Sequence, residues 1–391
     1  MKESLTYDDV NIVPKYSEVE SRRDVDLTSR LTKNRYLNVP LVSSPMDTIT
    51  EYEMAYEMWN HGSVGFIHRF MEIETQAKMV SDLTSEIESN WVGSKHLYEN
   101  LDEEIEKTNS KVQVRILESM KETKAWFENT PIGATIGITG DYFERAQELV
   151  NNGCNVLLID VAHGHHKLVG DALRRLKNEL KTPKGNEKLS GVEVIAGSVA
   201  TGDAVQYLCE KGADAIRVGI GNGSLCETRI RTGVGVPQVT ALLDCIAVAD
   251  TYNCPTIADG GVRNIGDVCK GFACGADSVM LGSLLSGTKE TPGTIEKIGE
   301  WPNEMLYKKY RGSASLDSKH DRGDNKNVEG NHKVIPYKGK VKRILKDIQE
   351  GLRSSFSYVG ANDISEFHSK VELLEVTRAG QIEALPHLLT K

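Results

Sequence analysis

A (β/α)8 barrel is the fold that this sequence predicts, and three observations predict it. Eight short apolar or β-branched runs recur along the 391 residues, amphipathic stretches separate most of them, and the chemically loaded residues fall where those runs end. Strand followed by crossover helix, repeated eight times, is the pattern of a parallel sheet closed on itself. An open doubly wound sheet would alternate in the same way but would normally carry a GxGxxG turn near one end. The stretch "GIGNGS" at 219–224 matches that spelling only in part and comes too deep in the series. Barrels of this class commonly exceed 200 residues as one unit, so residues 1–391 are read as a single barrel domain with insertions.

The strands are expected, in order, at "VPLVSS" (39–44), "SVGFIH" (63–68), "IGATIGI" (132–138) and "NVLLIDVA" (155–162). The series continues with "VEVIAG" (192–197), "AIRVGIG" (215–221), "PTIADGG" (255–261) and "SVMLGSLL" (278–285). Segments such as "GDYFERAQELVNNG" and "TGDAVQYLCEKGAD" supply the amphipathic helices between them. Two segments break the pattern. Residues 88–130 are charged and helical in character and form an insertion after the second strand; residues 307–340 are polar, follow the eighth strand, and read as an active-site flap.

Composition narrows the partners. A net charge of -9 and a pI near 5.7 argue against an extended nucleic-acid or membrane surface, leaving room for a local basic pocket. The N-terminus has no apolar signal core, and no run of about 18 apolar residues occurs, so a cytoplasmic protein without membrane spans is expected. Seven cysteines without CxxC pairs suit free thiols in a reducing compartment.

Barrel chemistry sits at the C-terminal ends of the strands, here "SSPMD", "IDVAHGHH", "NGSLCET", "ADGG" and "GSLLSG". Backbone amides of Gly260, Gly261 and Gly282, with the hydroxyl of Ser283, can converge on a phosphate between the last two loops. Tight turns alone would also account for these glycines. Asp259 beside them can accept hydrogen bonds from a ribose diol. A lone cysteine is usually a small core residue, but Cys226 lies in a polar glycine-rich loop with Ser224 and Thr228 close by, which favours a covalent nucleophile. Asp160 ends the fourth strand at the same mouth. The run His163 to His166 lacks the carboxylate or cysteine partners of a metal site.

These motifs together resemble the inosine monophosphate dehydrogenase and guanosine monophosphate reductase family. The stretches "LTYDDVNIVP", "VPLVSSPMDT", "GSVGFIHR", "IDVAHGH", "RVGIGNGSLCETR", "TGVGVPQ", "ADGGVRNIGDV", "GADSVMLGSLLSGTKE", "YRGSAS", "EG" and "PYKG" carry the resemblance over nearly the whole chain. It implies a barrel, usually a homotetramer, in which the loop cysteine bonds to C2 of a purine nucleoside monophosphate, with NADPH or NAD as the hydride partner. Carried over, Ser44 and Met46 border the nucleotide, Arg217 and Asp160 the base and nicotinamide region, and Ser224, Gly261, Gly282, Ser283 and Tyr310 the phosphate. Asp259 holds the ribose and Glu329 approaches the purine edge. Carbonyls of Gly221, Gly223 and Cys226 resemble a potassium site. The family's regulatory tandem domain is missing at 88–130, where the residues are too few for one.

Two activities share the covalent purine intermediate. A dehydrogenase forms it by hydride transfer from IMP to NAD and hydrolyses it; a reductase forms it by expelling ammonia from GMP and reduces it with NADPH. Dehydrogenases typically use an Arg-Tyr pair in the flap to activate water, and here Arg322 is followed by Gly323. Thr228 fits the reductases' threonine near the leaving amine, but Leu316 stands where their flap has glutamate, with Asp317 or Glu227 as substitutes. Ser198 replaces a common asparagine. The N-terminal half and the tail look more like a dehydrogenase, while the flap favours the reductase. A silent nucleotide-binding scaffold is the reading from another class, and an accessible Cys226 speaks against it.

Overall fold

The computed structural model describes residues 3–98, 101–108, 110–181, 191–300, 303–315 and 329–384. Its centre is a closed barrel of eight parallel strands: β1 (Leu41–Ser43), β2 (Val64–Ile67), β3 (Gly133–Ile136), β4 (Val156–Asp160), β5 (Glu193–Val199), β6 (Ala215–Val218), β7 (Thr256–Asp259) and β8 (Ser278–Leu281). They pair in sequence order, and β8 closes the ring on β1. Seven lie inside their apolar runs, and β5 begins within "VEVIAG" (192–197) but continues two residues past it to Val199. Nearly every strand residue is buried, because helices cover the outside and side-chain layers fill the inside; continuous apolar runs are what such burial on two faces demands.

The covering helices are α1 (Tyr52–Asn60), α2 (Ile73–Ser94), α3 (Leu101–Lys107), α4 (Lys111–Asn129), α5 (Tyr142–Asn151), α6 (Lys167–Glu179) and α7 (Gly202–Glu210). They continue with α8 (Thr228–Thr232), α9 (Gln238–Ala249), α10 (Ile265–Ala273) and α11 (Val341–Val359). In α11 the buried residues Val341, Leu345, Ile348, Leu352, Phe356 and Val359 fall three or four apart, one apolar stripe. Gly360 ends the helix at φ +74, where a Cβ would run into the Tyr16 carbonyl. α10 starts on Asn264, whose side chain accepts the Asp267 N–H at 3.0 Å, fixing the end of the loop that leaves β7.

The insertion is helical as expected, although its first residues belong to α2, which continues to Ser94 before α3 and α4. Rings join it to the barrel: Trp59 of α1 meets Phe127 of α4 edge-on at 5.6 Å, and Phe127 stacks on Trp91 of α2 at 5.3 Å.

The segment after β8 differs from the expected polar loop. With β9 (Glu296–Ile298), its stems β10 (Met305–Arg311) and β11 (His332–Pro336) form an antiparallel sheet, in register from Tyr307 opposite Pro336 to Arg311 opposite His332. Lys308 and Tyr310 are buried while Lys309 between them is exposed, so charged residues hide a strand period. Residues 316–328, which include Leu316, Asp317, Arg322 and Gly323, lie outside the described residues.

Candidate active site

A cavity of about 610 Å³ opens at the C-terminal ends of the strands. The exits of β1, β2, β4, β5, β6 and β7 line it, and β10 with Gly330 closes its outer side. The loop after β6 comes close because Gly219 sits at φ +152 against the Asp259 carbonyl oxygen, a position that a Cβ would occupy.

Within this loop a thiol, a hydroxyl and a carboxylate form a line. Cys226 Sγ lies 3.1 Å from Thr228 Oγ1, and Thr228 Oγ1 donates to Glu329 Oε2 at 2.8 Å. The backbone holds both ends, since the Glu227 N–H donates to the Glu329 carbonyl at 2.8 Å and Cys226 bridges to Gly330. Cys226 is partly exposed, whereas the other six cysteines are buried. Such a line can pass a proton between sulfur and carboxylate. Glu227 points elsewhere: its carboxylate accepts from Arg231 Nε at 2.7 Å and from Asn331 Nδ2 at 3.4 Å. The carboxylate that hydrogen-bonds Thr228 is that of Glu329.

Deeper in the mouth, buried Arg217 donates from Nη2 to Asp160 Oδ1 at 2.7 Å, and its Nε stands 3.8 Å from Asp259 Oδ2. Burial works against the guanidinium's charge, but attraction to Asp160 and then Asp259 prevails and raises its pKa. Burial pushes the Asp259 carboxyl above its usual range; Arg217 opposes this and Asp160 adds to it. A quarter of the Asp259 side chain (26%) still reaches the cavity, enough to meet a ligand hydroxyl.

On the side of β8 and β1, Ser224 Oγ and Tyr310 Oη are 3.1 Å apart. Gly282 leaves the space between Tyr310, Met46 and Ser44: a Cβ there would lie 3.5 Å from Tyr310 Oη and 3.7 Å from Met46 Sδ. Gly260 lines the cavity, whereas Gly261, Gly282 and Ser283 do not. The Gly261 N–H donates to the Asn222 carbonyl at 2.8 Å, and Ser283 Oγ donates to the Val262 carbonyl at 3.3 Å. An anion at these loops would take over groups that are already engaged.

The carbonyl of Gly223 accepts the Cys226 N–H at 3.0 Å. Arg229 packs its side chain against Gly221 and Gly235 and hydrogen-bonds Asn222 and the Val236 carbonyl, so a guanidinium already supplies positive charge to this turn. His163 and His165 form an edge contact at 6.4 Å, and among the described residues no group of three or more His, Cys, Asp or Glu side chains is arranged to hold a metal.

The structure thus brings Ser44, Met46, Asp160, Arg217, Gly221, Gly223, Ser224, Cys226, Thr228, Asp259, Gly260, Tyr310 and Glu329 to one cavity. Arg322 and Asp317 lie outside the described residues. Sequence reading missed Arg69 and Phe70, which also line it. Their signal was their place directly after the second apolar run, at a strand end.

Fold and site define a (β/α)8 barrel with a thiol-bearing cleft at its C-terminal mouth. A family model described as IMP dehydrogenase / GMP reductase domain matches residues 4–387. The chain is 34% identical to an inosine-5′-monophosphate dehydrogenase of Nitrosopumilus maritimus over 481 aligned positions, covering 99% of this chain and 98% of that protein. It is 38% identical to the enzyme of the same name from Cryptosporidium parvum over 400 positions (98% and 94%), and 31% identical to a GMP reductase of Leishmania major over 491 positions (100% and 98%). Its fold matches the crystal structure of a cysteine-to-alanine GMP reductase from Trypanosoma brucei in complex with guanosine 5′-monophosphate, with TM-score 0.81, 29% identity and coverage of 99% and 98%. The chain belongs to the IMP dehydrogenase / GMP reductase family and is an oxidoreductase of that type.

Proposed function

We propose that the chain is a GMP reductase, converting GMP, NADPH and a proton into IMP, ammonia and NADP through a covalent bond between Cys226 and C2 of the purine. The line from Cys226 through Thr228 to Glu329 carries this reading. The thiol proton passes by way of Thr228 to Glu329 as sulfur bonds to C2. The same proton returns through Thr228 to the departing amine as the C2–N bond breaks, so ammonia leaves neutral without a proton from solvent. When bound, the dinucleotide would supply a hydride to C2; the C2–S bond would then break with its electron pair going to sulfur, and the Cys226 thiolate would regain a proton from water. Asp160 and Arg217 orient the two rings. Asp259 accepts from the ribose, and Ser224, Tyr310 and the Gly260, Gly261, Gly282 and Ser283 loops hold the phosphate.

The alternative, IMP dehydrogenase, is favoured by the higher identities to proteins of that name. It needs water activated at the intermediate, and Arg322 lacks a tyrosine after it. GMP with NADPH is therefore expected to turn over continuously, while IMP with NAD gives at most a burst of about one NADH per site. Thr228→Val should slow the reductase about 100-fold, the contribution usual for positioned proton transfer. Many turnovers of IMP to XMP with no reaction of GMP would reverse the assignment.

Potassium at the carbonyls of Gly221, Gly223 and Cys226 fits this loop poorly, given Arg229 against Gly221. Residues 88–130 are proposed to stand where a regulatory tandem domain is inserted in longer relatives. The 481-position alignment to the N. maritimus enzyme, against 400 to that of C. parvum, supports an internal gap of that kind. A homotetramer is proposed as the working form. No described helix is long and apolar enough to cross a membrane.

A further inference from the structure

The Cys226 loop leaves β6 at Gly219 and returns to the barrel at Gln238, the first residue of α9. Gln238 is only 2% exposed and is not among the residues that line the cavity, yet its side chain reaches back to the start of the loop. Nε2 donates to the Val218 carbonyl at the end of β6, at 3.0 Å, and Oε1 accepts from Asn222 Nδ2. The fit is close: a Cβ on Gly219 would lie 3.2 Å from that oxygen.

Asn222 in turn gathers the loop. Its carbonyl accepts the Gly261 N–H from the exit of β7 at 2.8 Å, and its Oδ1 accepts from Arg229 Nη2, which also donates to the Val236 carbonyl at 2.6 Å. The limb that follows the thiol is held separately, by the Glu227 N–H on the Glu329 carbonyl and by the bridge of Cys226 to Gly330. Fixing a flexible, glycine-rich chain costs about 1–2 kcal/mol of backbone entropy per residue. The place of the thiol therefore depends on such tethers, and on the limb before it the tether that starts in the barrel core is Gln238.

We propose that Gln238 is a positioning residue for the thiol: by holding Asn222 against the end of β6, it fixes the approach of Cys226 to the bound nucleotide without touching the nucleotide itself. The inference rests on Cys226 being the reacting thiol.

Gln238→Met, which keeps the volume and removes both hydrogen bonds, and Asn222→Ala, which removes the contact from the loop side, test it in the full chain. With 6-chloropurine riboside monophosphate, the saturating rate of Cys226 modification should fall about tenfold or more in either variant. The concentration giving half that rate should stay within about threefold, since phosphate and ribose are held elsewhere. The double variant should lose much less than the product of the two single losses, because both remove one shared bond. Hydrogen exchange should quicken in peptides covering 219–227 and stay unchanged in β4 and β5. Modification at the wild-type rate in both variants would overturn the proposal, as would losses that multiply. Exchange that quickens throughout the barrel, with rate and affinity lost equally, would also overturn it, as a general loss of stability. If Gln238→Met does not fold, Asn222→Ala carries both readouts. Failure of the analogue to label Cys226 in the wild type would sink the covalent reading instead; exchange in the loop then decides on Gln238, and unchanged exchange would overturn its role.

Discussion

Cys226 stands apart from the other cysteines in access and surroundings. Burial pushes the thiols of Cys154, Cys245 and Cys274 up to about 12 and that of Cys269 up to about 11, so they remain protonated at neutral pH. A purine monophosphate with a 6-chloro leaving group is expected to add one equivalent, at Cys226, as peptide mass spectrometry would show. Cys226→Ala should lose both adduct and turnover while binding the nucleotide within about threefold, because phosphate and ribose contacts lie elsewhere. Adducts spread over several cysteines would contradict this. Asp259 gives a test by pH. Burial raises its pKa, so it takes up a proton at a higher pH than an ordinary carboxyl does. As pH falls through that raised value the carboxylate is lost as an acceptor, and ribonucleotide affinity should fall with it. Asp259→Asn should bind more weakly near neutrality and lack this step, while any step from the ligand's own phosphate, with pKa near 6, stays in both. Superimposable profiles in a calorimetric titration would remove Asp259 from the ribose site.

The elements that carry the site are pinned by side chains far from the chemistry. Lys308, buried on β10, donates to the carbonyls of Thr288, Lys289 and Thr291 in the loop after β8, two residues before Tyr310 reaches Ser224. Lys308→Met would fill similar space but leave those carbonyls without their donor, costing about 1–3 kcal/mol of stability. Denaturant unfolding should show that loss, and the KM for the nucleotide should rise as Tyr310 loosens; no change in either would make the contact incidental. This strand also shows where sequence reading stops. The eight barrel strands were legible because runs buried on both faces are continuously apolar, as in "NVLLIDVA" and "AIRVGIG". In "YKKYR" the inward residues are themselves Lys308 and Tyr310, so no apolar alternation marks a strand. Cys226, Asp160, Arg217 and Asp259 were legible as residues at strand ends. The bond from Thr228 to Glu329, 101 residues away, follows from the return of β11 to the mouth, a tertiary fact that local sequence does not encode.

At the scale of the whole molecule, the proposed homotetramer can be tested on the three-stranded sheet beyond β8, which carries exposed apolar side chains. On its outer face Ile298 lies opposite Met305, and Val334 shares that face two strands over. These side chains are about half exposed: Ile298 at 46%, Met305 at 54% and Val334 at 37%. Near the Cys226 loop, Ile230 and Val234 add further exposed apolar groups, at 85% and 60%. Single exposed apolar residues are ordinary, but a cluster on a sheet that also carries Tyr310 into the site is the kind of patch that a partner copy would cover. Light scattering at micromolar concentration is expected to give four times the chain mass of 43.2 kDa. Met305→Lys combined with Val334→Lys should lower that mass, because burying two unpaired ammonium groups costs more than the interface gains from their stems. Ser224, Tyr310, Asp259 and Cys226, proposed to hold and attack the nucleotide, all belong to one chain, so the dissociated variant is expected to keep nucleotide binding and to lose activity as far as the β10 and β11 stems lose their support. A protein monomeric at these concentrations would remove the tetramer, and a tetramer untouched by both lysines would move its interface to another face of the barrel.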